Sequence, residues 1–335
     1  MICGHLDLAA GEQLLDTDGV VLCLRASGWR SGICRWGTEC QYSHGTPDTL
    51  SQQRINVEKL RLTRKTKSIS PELQAKLLAA KAANALPVPD WVHAARTQLT
   101  FDIAHPIFLK LQTFACSFLG AEVDNNSNNS LANLHLQPLN SASVPLCPAL
   151  LFAHKHGGHK LPTKWKRALM DNKSLISRFT KSPHYKSFIL AYKELVEQIV
   201  APLCCGDETG IVYQCPPTLR VQMPSHAPTI GMHKDSDFAA HESSEINFWI
   251  PLTSVWGDNT LQLESSPNKS DFHPMELQPG EGLRFDGANC RHFTNANTTN
   301  STRVSFDFRV IPRSLFRNDF DNMIGDYPVA FFPST

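Results

Sequence analysis

Apolar and polar positions alternate differently in different parts of the chain. Between Tyr185 and Leu203, Phe188, Ile189, Tyr192, Leu195, Val196 and Ile199 recur at helical spacing until Pro202 closes the run, which predicts an amphipathic helix. Beyond it the period shortens. The stretches TLRVQM, INFWIPL, NTLQLES, GLRFDG and RVSFDFRVI are separated by Pro, Gly, Asn and Asp at hairpin-like intervals, so short strands of a barrel or jelly roll are expected. Upstream, Ser70-Pro71-Glu72 opens an Ala/Leu-rich helix that Pro87 and Pro89 stop, with Ser70 as cap and Pro71 at the first helical position. Up to about Gly45 there is no sustained periodicity, and Asp124–Ser130 (DNNSNNS) is a polar loop. The expected class is mainly β with flanking helices (α+β). Three parts follow: residues 1–47, a basic and partly helical connector 48–95, and a domain 96–335 with a helical flank 96–210 and a β core 211–312.

Composition narrows the function classes. Of 335 residues, 41% are hydrophobic and 19% charged, enough to bury a core rather than stay a disordered tail. Lys plus Arg number 32 against 31 Asp plus Glu, which argues against a protein that coats nucleic acid over its whole surface. No stretch reaches the roughly eighteen apolar residues a membrane span needs. The first residues, MICGHLDLAAGEQLLD, lack the pattern of a secretory signal. With ten cysteines and no such signal, a reducing compartment, cytoplasmic or nuclear, is expected, where clustered cysteines are more often metal ligands than disulfides.

One such cluster lies near the start. Cys34-x5-Cys40-x3-His44, preceded by Cys23, offers three thiolates and an imidazole within 22 residues. So short a segment buries little surface, and tetrahedral Zn(II) can supply the missing folding free energy. GICRWGTECQYSHG resembles CCCH-type zinc fingers, with a finger over about 17–47, although ten residues separate Cys23 from Cys34 where about eight is usual. That resemblance implies weak single-stranded RNA contact, with Trp36 and Tyr42 as stacking platforms and Arg35 near phosphates.

The C-terminal half carries a second constellation. His233 and Asp235 stand two apart in GMHKD, so on extended backbone both point the same way. His292 in NCRH is the third member. Two imidazoles and a carboxylate on one face leave three positions open, the arrangement non-heme Fe(II) uses. Arg303 follows eleven residues after His292; a hairpin of that length would return it beside His292, where its guanidinium could pair with the far end of a dicarboxylate.

With Leu219-Arg220-Val221, Glu245–Thr253 (EINFWIPLT), Asn259-Thr260-Leu261, Cys290-Arg291-His292 and Arg303–Val310 (RVSFDFRV), this set resembles the StrG-like oxygenases of the phytanoyl-CoA-hydroxylase-like group, over roughly 180–312. The resemblance implies a double-stranded β-helix (jelly roll, cupin-like) core, Fe(II) held by His233, Asp235 and His292, 2-oxoglutarate anchored by Arg303, and oxidation of a small molecule or protein side chain. No membrane partner is implied.

Secondary candidates sit around this set. Asn247, sharing a strand face with Glu245 and Trp249, can hydrogen-bond cosubstrate or satisfy core backbone. Arg220 and Arg309 can reach a substrate anion or pair with Asp307. His241 reads as an entrance or surface residue, and His154, His156 and His159 as solvated loop histidines. The competing function is a zinc-finger RNA or ribonucleoprotein binder with a non-catalytic β scaffold, using the basic stretch Arg54–Lys67.

Overall fold

A computed structural model describes residues 87–121, 131–137, 147–156, 172–204, 210–226, 228–238, 241–316, 323–324 and 327–333. All lie within one compact unit, Asn84–Thr335. The expected finger with Cys23, Cys34, Cys40 and His44, the helix 70–86 and the loop 124–130 fall outside the described residues.

The short helix α1 (Asp90–Ala95) leads into β1 (Leu99–Asp102) and the long helix α2 (His105–Leu119). Pro106 lies in the first turn of α2, and Gly120 ends it at φ 71°, a left-handed cap that favours glycine. Helices α3 (Pro148–His156), α4 (Asn172–Thr180) and α5 (Pro183–Leu195) follow. The expected amphipathic helix is α5, and it runs on through a π-helical turn, Val196–Val200, to Ala201–Leu203. His154 departs from its expectation. It is buried on α3 rather than solvated in a loop, because helical phase turns it inward beside Leu150 and Leu151.

The β core consists of β2 (Ile211–Gln214), β3 (Thr218–Gln222), β4 (Ile246–Pro251), β5 (Leu261–Leu263), β6 (His273–Met275), β7 (Glu281–Phe285), β8 (His292–Thr294), β9 (Arg303–Pro312), β10 (Met323–Ile324) and β11 (Tyr327–Phe332). They form two antiparallel sheets. The larger has the order β1-β7-β4-β9-β2-β11-β10, with β3 also paired to β9; the smaller is β6-β5-β8. Strand β9 is the spine, pairing β4 along one edge and β3 then β2 along the other.

Alternation along β9 separates two chemistries. Val304, Phe306, Phe308 and Val310 turn to the helical layer, where Phe306 meets Phe188 and Tyr192 edge-on and Phe308 meets Tyr192. Burying each such aromatic contributes about 1.5–3 kcal/mol. The Tyr192 hydroxyl, buried with them, donates to the Gln214 carbonyl at 2.6 Å. Arg303, Ser305, Asp307 and Arg309 occupy the opposite face, towards the interior between the sheets. There Trp249, Leu283 and Phe285 of the large sheet pack on Leu261, Leu263 and Met275 of the small one. The interior is therefore apolar at one end and densely charged at the other.

The expected hairpin between His292 and Arg303 does not form. Strand β8 pairs with β5 in the small sheet, while β9 pairs in the large one. The link 295–302 crosses from sheet to sheet, so the two residues do not share a ladder.

Candidate metal centre

Asp235, His233 and His292 are brought together by backbone pairing outside the named strands. The segment before β4 runs beside β8: the His292 N–H donates to the His233 carbonyl at 2.8 Å, and the His233 N–H returns the bond at 3.2 Å. Two residues on, the Asp235 N–H donates to the Gly287 carbonyl at 2.8 Å and starts a 3-10 turn, Asp235–Asp237. Extended backbone then puts His233 and Asp235 on one side. Donor atoms of His233, Asp235 and His292 all lie within 4.8 Å of one another.

Both imidazoles set Nδ1 against a backbone carbonyl. His233 Nδ1 lies 2.8 Å from the Gly231 carbonyl, and His292 Nδ1 lies 3.1 Å from the Cys290 carbonyl. A carbonyl only accepts, so in both rings Nδ1 carries the proton and Nε2 presents a lone pair. His233 Nε2 is 3.7 Å from Asp235 Oδ1. Burial pushes His292 down to about 4, helped by the neighbouring His233 and opposed by Asp235, so it is neutral near pH 7. Burial alone would raise the Asp235 carboxyl; the Arg309 guanidinium, with His241 and His292, overrides it and holds the group well below the usual carboxylate range. Two imidazoles and one carboxylate are a donor set that suits Fe(II).

Asp235 also shares a second donor set with His241 and Glu245. That set is closed on itself. Glu245 Oε2 takes the His241 ring at 2.8 Å and Oε1 takes the Glu242 N–H at 2.7 Å. His241 was expected at the surface or entrance. It is instead buried, because Glu245, wholly enclosed at the start of β4, needs a partner there.

Asn247 is placed against Asp235, donating through Nδ2 to Oδ2 at 2.6 Å. Its amide fits only because residue 287 is glycine: a Cβ there would lie 2.5 Å from Asn247 Cγ. Arg220 and Arg309 both pair with Asp307. Arg220 Nε donates to Asp307 Oδ1 at 2.7 Å, and Arg309 Nη1 donates to Asp307 Oδ2 at 3.0 Å.

Arg303 is 1% exposed and donates through Nη1 to the carbonyls of Asn259 and Thr260, at 2.9 and 3.3 Å, with its guanidinium 5.9 Å from the Trp249 ring. Among the described residues its Nε has no hydrogen-bond partner, and neither does the Ser305 Oγ two residues on. Burial, with some repulsion from Arg220, pushes the guanidinium down to about 9. A buried cation without a carboxylate at hydrogen-bond distance, beside an unpartnered hydroxyl, suits an anionic group. Ser305 was missed in the sequence, where the signal was its i+2 position from Arg303 on one strand face.

A cleft of about 440 Å³, lined by Phe152, Ile176, Leu219, Arg220 and Ile230 among others, meets this set of groups at Arg220. Ile230 is three residues before His233, and its N–H donates to Thr294 Oγ1 at 2.9 Å, which ties this wall to β8. The His233 side chain is 22% exposed, so the triad meets solvent at this imidazole.

No protein-family model matches the chain. A curated relative, streptomycin biosynthesis protein StrG from Streptomyces griseus, is 36% identical over 155 residues, 46% of this chain. The match spans 65% of that relative's length, just under two thirds. Among solved structures, EctD from S. alaskensis with 2-oxoglutarate and 5-hydroxyectoine aligns with 69% of this chain and 78% of its own, at 13% identity and a TM-score of 0.36. The nickel complex of the non-heme monooxygenase ThoJ aligns with 67% of this chain and 77% of its own, at 12% identity and a TM-score of 0.34. At scores this low, the fold rests on the strand order and register given above.

Proposed function

We propose that the chain is an Fe(II)- and 2-oxoglutarate-dependent oxygenase with a double-stranded β-helix core. The observation that carries this reading is the convergence of His233, Asp235 and His292, with both imidazoles presenting Nε2, inside an interior that also encloses the carboxylate-free Arg303. The 36% identity with StrG over 155 residues is consistent with it.

His233 Nε2, His292 Nε2 and Asp235 Oδ1 would hold Fe(II). Arg303 Nε and Ser305 Oγ would take the distal carboxylate of 2-oxoglutarate, exchanging two unpartnered polar atoms for charge-assisted bonds. Bound there, Fe(II) and 2-oxoglutarate supply C–H oxidation, in which one O2 and one 2-oxoglutarate give hydroxylated (or otherwise oxidised) product, succinate and CO2. The residues do the rest. Trp249, Leu283 and Phe285 keep water from the apolar end of the interior. Asn247 steadies Asp235, and its Oδ1, buried without a partner, is an acceptor towards cosubstrate or substrate. The cleft at Phe152 and Ile176 admits the substrate, a small molecule or a protein side chain. The cluster Cys23, Cys34, Cys40 and His44 stays proposed as a Zn(II) site with weak RNA contact, tested by zinc content in the Cys34→Ser variant.

The test is thermal unfolding of the anaerobic protein with Fe(II), 2-oxoglutarate, or both. A ligand that binds only the native state stabilises by about 2.7 kcal/mol at a hundredfold excess over Kd. The expected result is a rise with 2-oxoglutarate that depends on metal and is lost in Asp235→Ala. An equal rise with and without metal, or none, would overturn the reading.

A further inference from the structure

The two oxygens of Asp235 are treated differently, and the difference is made by Arg309. Oδ2 accepts from Arg309 Nε at 3.0 Å and from Asn247 Nδ2 at 2.6 Å. Among the described residues, Oδ1 accepts only the longer bond from Arg309 Nη2, at 3.2 Å, and it is the oxygen 3.7 Å from His233 Nε2. One oxygen is thus enclosed by two short bonds, while the other faces the imidazoles. The fork itself is fixed from behind: Arg309 Nη1 donates to Asp307 Oδ2 at 3.0 Å and to Gln214 Oε1 at 3.4 Å, and the guanidinium lies 5.7 Å from the Tyr327 ring. Asp307 is in turn held by Arg220. A line of alternating charge, Arg220, Asp307, Arg309, Asp235, therefore runs from the wall of the substrate cleft to the triad.

We propose that Arg309 is a positioning residue that holds Asp235 to a metal through Oδ1 alone. The inference rests on the oxygenase reading and extends it. Fe(II) held by two imidazoles and one carboxylate oxygen would leave room for both 2-oxoglutarate and O2. A carboxylate gripping through both oxygens would take up part of that room. Freed of its fork, Asp235 would be at liberty to do so, at the expense of O2. A lysine ammonium on its flexible stem does not fix both oxygens in one plane, so the planar fork is the required shape.

The experiment uses the full chain with Fe(II) and 2-oxoglutarate under anaerobic conditions, then nitric oxide as an unreactive stand-in for O2. Two readouts are taken, the visible band of the chelate and the S = 3/2 electron paramagnetic resonance signal with nitric oxide. In Arg309→Gln the band is expected to persist, while the nitric oxide signal needs at least tenfold more gas. Arg309→Lys restores the charge and is expected not to rescue the signal. A full signal at the wild-type gas concentration in Arg309→Gln would overturn the proposal. So would rescue by lysine, which would make charge rather than the fork the cause. Joint loss of band and signal in both variants would also overturn it, leaving Arg309 a structural residue only. Absence of the band in wild type would instead strike at the oxygenase reading itself.

Discussion

Arg303 and Ser305 stand two residues apart on one face of β9, and each holds a buried polar atom, Nε and Oγ, without a hydrogen-bond partner among the described residues. Leaving such atoms unpaired costs about 1–3 kcal/mol each, and burying a cation costs more. A site shaped for a ligand bears that cost before the ligand arrives.

Arg303→Met is therefore expected to separate stability from cosubstrate binding. Desolvation of the guanidinium offsets its two bonds to the Asn259 and Thr260 carbonyls, so unfolding free energy should change by no more than about 1 kcal/mol. Affinity for 2-oxoglutarate should fall at least tenfold, which calorimetry on the metal-loaded protein would read. A loss of about 3–5 kcal/mol in stability with cosubstrate affinity intact would make Arg303 a structural cation.

Gly287→Ala tests how Asp235 is held. The new methyl would sit 2.5 Å from Asn247 Cγ and Nδ2, in a core with no room to yield, at a cost of about 1–3 kcal/mol. Displacing Asn247 also removes the 2.6 Å bond to Asp235 Oδ2. Co(II) titration of the folded variant should show at least tenfold weaker binding; wild-type affinity would mean that Asn247 has no part in holding the ligand.

Acid stability should report Glu264. This buried carboxylate accepts from Arg291 Nε and Nη2 at 3.0 and 2.5 Å and from the N–H groups of Arg291 and Ser270. Against the effect of burial, these bonds bring its pKa down to about 2. The unfolded chain, with an ordinary value of about 4.3, takes up the proton first as pH falls. Glu264 thus stabilises the fold fully above about 4.3 and progressively less down to about 2. In Glu264→Gln, urea midpoints measured across that window should decline less steeply than in wild type. An unchanged slope would contradict the assignment.

The strands around the site were legible because β-branched and aromatic runs stand between Pro, Gly, Asn and Asp, and β3, β4, β5, β7 and β9 fall where those runs are. The meeting of His233, Asp235 and His292 was legible from residue type and, for the first two, from their two-residue spacing. Strand β1 was not: its residues are largely exposed, and its partner β7 lies far along the chain. The partner of Arg309 was likewise hidden. Asp307 is visible two residues away, but Asp235 reaches Arg309 only through the pairing of separate segments at Gly287 and Asn247. Sequence pattern also misplaced His241, since nothing local shows that Glu245 is enclosed and needs it.

The most direct measurement is an anaerobic titration of the protein with Fe(II) and 2-oxoglutarate, following the weak visible charge-transfer band of the chelate. The oxygenase assignment predicts a saturable band in wild type, none in His233→Ala or His292→Ala, and a requirement for at least tenfold more 2-oxoglutarate in Arg303→Ala. A folded, metal-loaded wild type that gives no band, or a band unaffected by loss of either histidine, would contradict it.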